Sequence, residues 1–454
     1  GKNSFSYSVV EEISIPKNVK QIDEYAFYNC RSLQSVVFPI DSALQSIGKF
    51  AFSCSSINQI SIPSHTNQIG ESAFYNCTNL SSVTFANNSE LLSVEKSIFT
   101  SSSIESVVIP SSVETIEQFA FYNCKKLKNV TFSKNSKLHS IGSSAFSLST
   151  LEKISIPALV DHIGERAFAQ CMELKTVDFS QNSELLSIER EVFSSSTIES
   201  ISIPSKIQCI CERAFAGCMN LKSVEIPKNS QLVSICDAAF SSSSIESIFI
   251  PSKLDDLKEG WCSGTGKLNN IEIAKDNQRY KYHENQMILG KSDIKSTNYD
   301  EIIMCRRDIK EINIPNDIER LCSYSFSECK ELHQINITNE SKLKIISEYS
   351  FYCSNIENII IPKHVQILEN SSFLSCTRLK QVDFNENSEL EIIGHKAFSS
   401  TSLTTIKIPP NVTEIGDSCF FNCKHLYSVS IPEDSNLLTI GNNAFKDSSL
   451  KTIF

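Results

Sequence analysis

The sequence predicts a solenoid, one stack of short coils rather than a string of globules. Three observations carry that prediction. Phenylalanine recurs at Phe27, Phe52, Phe74, Phe99, Phe121, Phe146, Phe168, Phe193, Phe215 and Phe240, in alternating steps of 25 and 22 residues, and the beat resumes at Phe326, Phe351, Phe373, Phe398, Phe420 and Phe445. Cysteine returns every 47 residues at Cys30, Cys77, Cys124, Cys171 and Cys218, and again at Cys329, Cys376 and Cys423. An apolar-x-apolar triplet appears once per coil, from Ile13/Ile15, Val36/Phe38 and Ile60/Ile62 to Val429/Ile431. Fixed periods of this length mark repeat arrays, in which each unit buries its apolar face only against its neighbours.

Two coil types alternate. The shorter runs from Ile198 through Ile201, Ile203 and Pro204 to Ile210, Ala214, Phe215 and Cys218. The longer runs from Leu174 through Val177, Phe179 and Ser183 to Leu185, Ile188, Val192 and Phe193, with three extra polar residues after its triplet. The triplet has period two and is rich in β-branched residues, so it reads as a short strand. Proline often follows it, at Pro63, Pro110, Pro157, Pro204, Pro251 and Pro409, and ends ladder pairing there. Stacked coils then give a long parallel sheet. The Ala-Phe-x-x-Cys segment has helix-like spacing over about one turn and reads as a tight helical turn with its Phe pointing inward.

The recurring Leu-x-x-Val/Ile-x-Phe/Ile-Pro, the following Ile-Gly-x-x-Ala-Phe and the Cys beyond it carry a family resemblance. Examples are Ile69-Gly70-Glu71-Ser72-Ala73-Phe74-Tyr75-Asn76-Cys77 and Ile163-Gly164-Glu165-Arg166-Ala167-Phe168. The pattern resembles the BspA-like leucine-rich-repeat family over nearly the whole chain. The 22/25 alternation with Ser- and Asn-rich spacers is most similar to its protist members. The resemblance implies a leucine-rich-repeat solenoid, a right-handed superhelix with a parallel concave sheet, short helical turns and an irregular convex side. It further implies a surface-exposed or secreted protein with a role in adhesion, and it supplies no catalytic residues.

One stretch breaks the beat. Trp261-Cys262 stands where the next Ala-Phe belongs, and Phe326 arrives 17 residues late. The organisation read from this is an array over 1–260, an irregular repeat over 261–308 and a second array over 309–454, as one continuous solenoid. Within the break, Gln286–Leu289 and Glu301–Met304 read as strands joined by a long polar loop. The island also holds Trp261, Tyr280, Tyr282, His283, Arg306 and Arg307. It reads either as a bulge that binds something or as a structural hairpin.

Bulk composition excludes several classes. The 454 residues carry a formal charge of −10 without a long run of one sign, whereas a nucleic-acid surface needs a basic stripe. No stretch approaches the ~20 apolar residues of a membrane-spanning helix. The chain opens on Gly1 and stops within a repeat at Ser449–Phe454, which reads as trimming. A signal or anchor outside the segment therefore stays open, and the expected location is the cell surface or the exterior.

The 17 cysteines are not placed as a disulfide scaffold. Column cysteines two coils apart lie ~10 Å apart, beyond the ~7 Å limit for a bridge. They read as small buried hydrophobes. Cys211 and Cys236 differ, since both replace the Gly after Ile in consecutive coils. They should be neighbours and are candidates for a bridge in an oxidising compartment. The eight histidines show no metal-ligand spacing, and no nucleophile has a recognisable base, so neither cofactor, metal nor catalysis is expected.

Binding by surface is the remaining class. The middle residue of each triplet faces away from the core. Most are small and hydroxylated, but Asp178, Ser202, Glu225, Phe249 and Glu272 form an acidic run with one aromatic. With Tyr280, Tyr282 and Arg306 they are the candidate ligand-binding residues. The expected partner is a protein or glycoprotein, on a host cell or matrix. A structural, scaffolding or self-associating repeat protein is the alternative. Eight Asn-x-Ser/Thr sites occur, and Asn129 and Asn336 among them fall on expected strands.

Overall fold

The computed structural model describes residues 1–453, and Phe454 lies outside them. The chain is a parallel β-solenoid of leucine-rich-repeat type, and it divides into two compact units, Gly1–Ser244 and Ile245–Phe454.

In the first unit the expected strands form one parallel row, from Glu12–Ser14 and Ser35–Val37 to Ser200–Ser202 and Ser223–Glu225. Equivalent residues pair in register, Ile60 with Val83, Ile154 with Val177 and Ile201 with Val224. The strand Gln59–Ile62 alternates exposed and buried residues, as a one-sided sheet requires. After it Pro63, which has no N–H to donate, opens a turn by accepting from the Thr66 amide at 3.1 Å. In the long coils a buried serine organises the extra residues. Its hydroxyl accepts the amide of the leucine two residues on, as in Ser42 to Leu44 and Ser183 to Leu185, both at 3.3 Å.

The side expected to be irregular is ordered. Two-residue strands, Gln21–Ile22, Ser46–Ile47, Gln68–Ile69 and their successors, pair in parallel as a second row. Close backbone approach makes it. A Cβ at Gly48 would lie 2.5 Å from the Glu24 nitrogen, and one at Gly142 would lie 2.5 Å from the Gln118 nitrogen. In these coils a side chain would push the neighbouring backbone away, whereas other coils carry Glu95, Glu117, Cys211 or Cys236 at the same position.

The expected helical turns are absent, and no helix occurs among the described residues. Ala-Phe-x-x-Cys forms instead two successive turns. Residues such as Tyr25 and Asn29 take positive φ (57° and 55°), and the same pair of positions does so in coil after coil. Half the amides close turns within the coil, as Tyr28 to the Tyr25 carbonyl does at 3.1 Å. The other half cross to the next coil: Tyr25 to Lys49, Phe27 to Ala51 and Asn29 to Ser53, at 3.0, 2.7 and 2.8 Å. A helix would consume every amide internally; the coil instead directs alternate amides outward and gains a third ladder between neighbours.

The phenylalanine column is the core's axis. Rings from Phe27 to Phe240 are all buried, and successive rings stack with centroids 5.1–5.6 Å apart. Offset stacking adds to the area each ring removes from water.

The second unit repeats this scheme from Phe326 to Phe445, with ring centroids 4.9–5.6 Å apart. Its island is an antiparallel meander. Met287–Gly290 and Glu301–Cys305 pair as expected within a residue, and a third strand, Tyr280–His283, was not expected. Glu301–Cys305 then pairs in parallel with Arg320–Leu321, so the meander extends the second row. Met304 occupies the ring column 22 residues before Phe326, and its sulfur meets the Cys262 thiol at 3.5 Å. Cys262 and Met304 thus keep the column filled across the insertion.

Candidate functional site

The middle residue of each first-row triplet is accessible. Ser61, Thr84, Val108, Thr131, Ser155, Asp178, Ser202 and Glu225 are exposed between buried or half-buried neighbours. In the first unit Asp178, Ser202 and Glu225 share this face. Ser202 pairs with Glu225 across the ladder and donates its hydroxyl to that carboxylate, and Ser155 donates to Asp178 at 3.5 Å. Along two adjacent strands, Asn129–Phe132 and Lys153–Ile156, and the turns after them lies a groove of about 550 Å³, lined by residues including Asn129, Thr131, Ser133, Lys153, Ser155 and Leu159. A smaller groove of about 300 Å³ recurs one 47-residue period earlier, around Ser82, Thr84, Ser106 and Val108. The sequence reading missed both, because they arise from the loop wall beside the sheet.

In the second unit Phe249 is half-buried and pairs with exposed Glu272. Tyr280 is buried; its hydroxyl accepts the Leu257 amide at 2.8 Å and reaches the Asp255 carbonyl at 3.3 Å. Tyr282 and Arg306 meet at the Asn285 carbonyl, at 3.2 and 3.1 Å, and Arg306 is further held by Asp308 at 2.7 and 3.0 Å. Tyr280, Tyr282 and Arg306 thus each have a local structural partner. Trp261 is buried. A separate pocket of about 260 Å³ opens beside the meander, where Arg320 pairs with Glu259 at 2.9 Å and burial raises the Glu301 carboxyl.

Every cysteine is a free thiol. The column cysteines are buried and share one arrangement. Each thiol points at a carbonyl 25 residues back, as Cys77 does at Phe52 (3.1 Å), and meets a hydroxyl 22 residues back. Those partners are Ser8, Ser55, Ser102, Ser149, Ser196, Ser354 and Thr401, at 3.3–3.5 Å. Burial pushes Cys77 up to about 12 and Cys124 up to about 11. Cys329 departs from the rule, because the residue 22 positions before it is Arg307.

Cys211 and Cys236 follow in-register neighbours Ile210 and Ile235, as expected for adjacent positions. A third thiol, not singled out in the sequence, joins them: the Cys209 sulfur lies 3.6 Å from each. The Cys211 contact and burial raise Cys209, and burial raises Cys236 to about 11. Among the described residues no group of three or more His, Cys, Asp or Glu is arranged to hold a metal ion, and no helix is long and apolar enough to cross a membrane.

Coils that bury a ring, a thiol and one side of a strand in one register, and expose alternate strand residues on an open sheet, define the class: a leucine-rich-repeat solenoid. The chain belongs to the family whose repeats are described as BspA-type leucine-rich repeats, with matches over 1–94, 92–187, 186–305, 299–426 and 344–454. No curated sequence relative matches. Among solved structures the chain is similar to a leucine-rich repeat protein from Bacteroides ovatus, at 23% identity over 97% of this chain and 86% of that one, with a TM-score of 0.47. It is similar to a leucine-rich cell surface protein from Faecalibacterium prausnitzii at 20% identity, over 98% and 87% of the two chains, with a TM-score of 0.46. The pneumococcal vaccine antigen PcpA matches at 22% identity over 77% and 67%, with a TM-score of 0.37.

Proposed function

We propose that this chain is a non-enzymatic surface or secreted protein that binds a protein or glycoprotein partner, in an adhesive role, through the open face of its first strand row. One observation carries the reading. Strand after strand of the first unit presents alternate residues to solvent, as Gln59 and Ser61, Ser106 and Val108, and Ser200 and Ser202 do, on a backbone held by ladders to both neighbours. Such a face loses little side-chain entropy on binding, because most of its residues are serine or threonine. Solenoids use extended surfaces of this kind for recognition. Asp178 and Glu225, with Ser202 between them, favour a partner patch bearing lysine or arginine.

The test is a binding panel of host-cell and matrix proteins against the wild-type chain and the Asp178→Lys/Glu225→Lys double variant. The expected result is a partner whose affinity falls at least about tenfold, roughly 1.4 kcal/mol. A partner bound equally by both forms contradicts this face, and no bound partner contradicts the adhesive role.

A further inference from the structure

We propose that Cys329 is the buried thiolate counter-ion of Arg307 at mildly alkaline pH, and that it is a modification site for small soft electrophiles of the disulfide and thiosulfonate class. Arg307 is 4% exposed, and a guanidinium keeps its charge under all ordinary conditions. Its donors reach the Ser325 carbonyl at 3.1 Å, the Tyr324 carbonyl at 3.4 Å and the Cys329 sulfur at 3.7 Å. No Asp or Glu oxygen among the described residues lies within ion-pair distance of it. Asp308, the next residue along the chain, is engaged on both oxygens by Arg306. A sealed cation needs a negative partner, and the titratable groups facing it are the thiols of Cys262, Cys305 and Cys329.

The repeat selects Cys329 among these. Arg307 stands in the register position where every other column cysteine meets a serine or threonine hydroxyl. The carbonyl that usually takes the thiol proton is also withdrawn: Cys329 has only the Arg306 carbonyl, at 3.8 Å, against 3.1 Å for Cys124 and 2.9 Å for Cys376. The Cys329 sulfur therefore loses its acceptor and gains a cationic donor. The neighbouring Cys305 thiol is directed at the Arg306 carbonyl at 3.1 Å; its contact and the Arg307 charge bring Cys329 down to about 7, while burial holds Cys305 well up.

The chemistry balances simply. The Cys329 thiolate attacks one sulfur of R–S–S–R, forming Cys329–S–S–R. The reagent's S–S bond breaks, and RS⁻ departs with its electron pair and takes a proton from water; from a thiosulfonate, R–SO2–S–R, the sulfinate RSO2⁻ departs with that pair instead. Cys329 is closed from solvent, so the reagent arrives only when coils part locally. Modification then leaves Arg307 without its counter-ion.

Two readouts test this on the whole chain. First, the thiolate absorbance near 240 nm is compared at pH 8 between wild type, Cys329→Ser and Arg307→Ser, a measurement that needs no reagent access. Both variants should lack one thiolate's absorbance; Arg307→Ser restores the hydroxyl found in the other coils and serves as the conservative control. Unchanged absorbance in folded Cys329→Ser overturns the ion pair. Second, methyl methanethiosulfonate labelling is followed by peptide mass. Contact with Cys305 and the Arg307 charge hold the Cys329 thiol down while burial pushes Cys376 up, so Cys329 should label at least severalfold faster than Cys376. Labelling of Cys329 no faster than Cys376 overturns the modification site.

Discussion

The Arg307 guanidinium lies 3.7 Å from the Cys329 sulfur, in a position that the other column coils reserve for a hydroxyl. The pair links stability to pH with a definite sign. Cys329 is depressed from its usual 9.0 to about 7, so its contribution is present above about pH 9 and is lost as pH falls through about 7. Urea unfolding followed by the single tryptophan, Trp261, reads the second unit. The stability difference between wild type and Cys329→Ser should grow from pH 7 to pH 9. A difference independent of pH in that window contradicts the pairing.

The phenylalanine column should be the most sensitive place in either unit. Phe146 is fully buried between the rings of Phe121 and Phe168, at 5.2 and 5.3 Å. Phe146→Ala should cost about 3–5 kcal/mol in denaturant titration. Val108→Ala, on the exposed sheet face, should stay within about 0.5 kcal/mol. Equal losses would mean that the ring column does not form the core.

Two glycines separate close approach from mere flexibility. A methyl group at Gly142 would sit 2.5 Å from the Gln118 nitrogen, whereas at Gly266 it meets nothing within 4 Å. Gly142→Ala should destabilise by about 1–3 kcal/mol, and Gly266→Ala should be neutral or slightly stabilising by thermal melt.

The thiol cluster predicts one bridge. Cys211 and Cys236 occupy adjacent coils at the ~4.8 Å strand spacing, within the range a disulfide spans. Oxidised glutathione should close Cys211–Cys236, found by peptide mapping, and raise stability by about 3 kcal/mol. The Cys209 sulfur, 3.6 Å from both, is the competitor, and a bridge containing Cys209 instead would refute the assignment.

Much of this architecture was legible because its signals are periodic. Phe, Cys and the strand triplet each recur with one coil, and their burial follows directly from stacking. The second row was not legible: Gln21–Ile22 and its equivalents are two residues long, too short for an alternation to show. The double turn around Phe27 was hidden because positive φ falls on Tyr25 and Asn29 and, elsewhere, on Ser, Arg and Glu, residue types that do not advertise it. Tyr280–His283 was missed as a strand because only one of its residues, Tyr280, is buried. Of the candidate site, the exposure of Asp178, Ser202 and Glu225 was readable from strand alternation. Arg307 was noted only as part of an island. Its pairing with Cys329 emerges when the 22-residue offset is applied through the insertion.

The central claim is that each coil is bound to the next through its turns as well as its strands, which fixes the open face. Amide hydrogen exchange tests it at Phe52, Phe74, Phe99 and Phe121, whose N–H groups donate to the carbonyls of Ala73, Ile98, Ala120 and Ala145 in the following coils at 2.7–3.0 Å. The account predicts that these amides exchange only with unfolding of the whole unit, as slowly as the strand residues Val83 and Val107. Exchange at the rate of an exposed loop would contradict it.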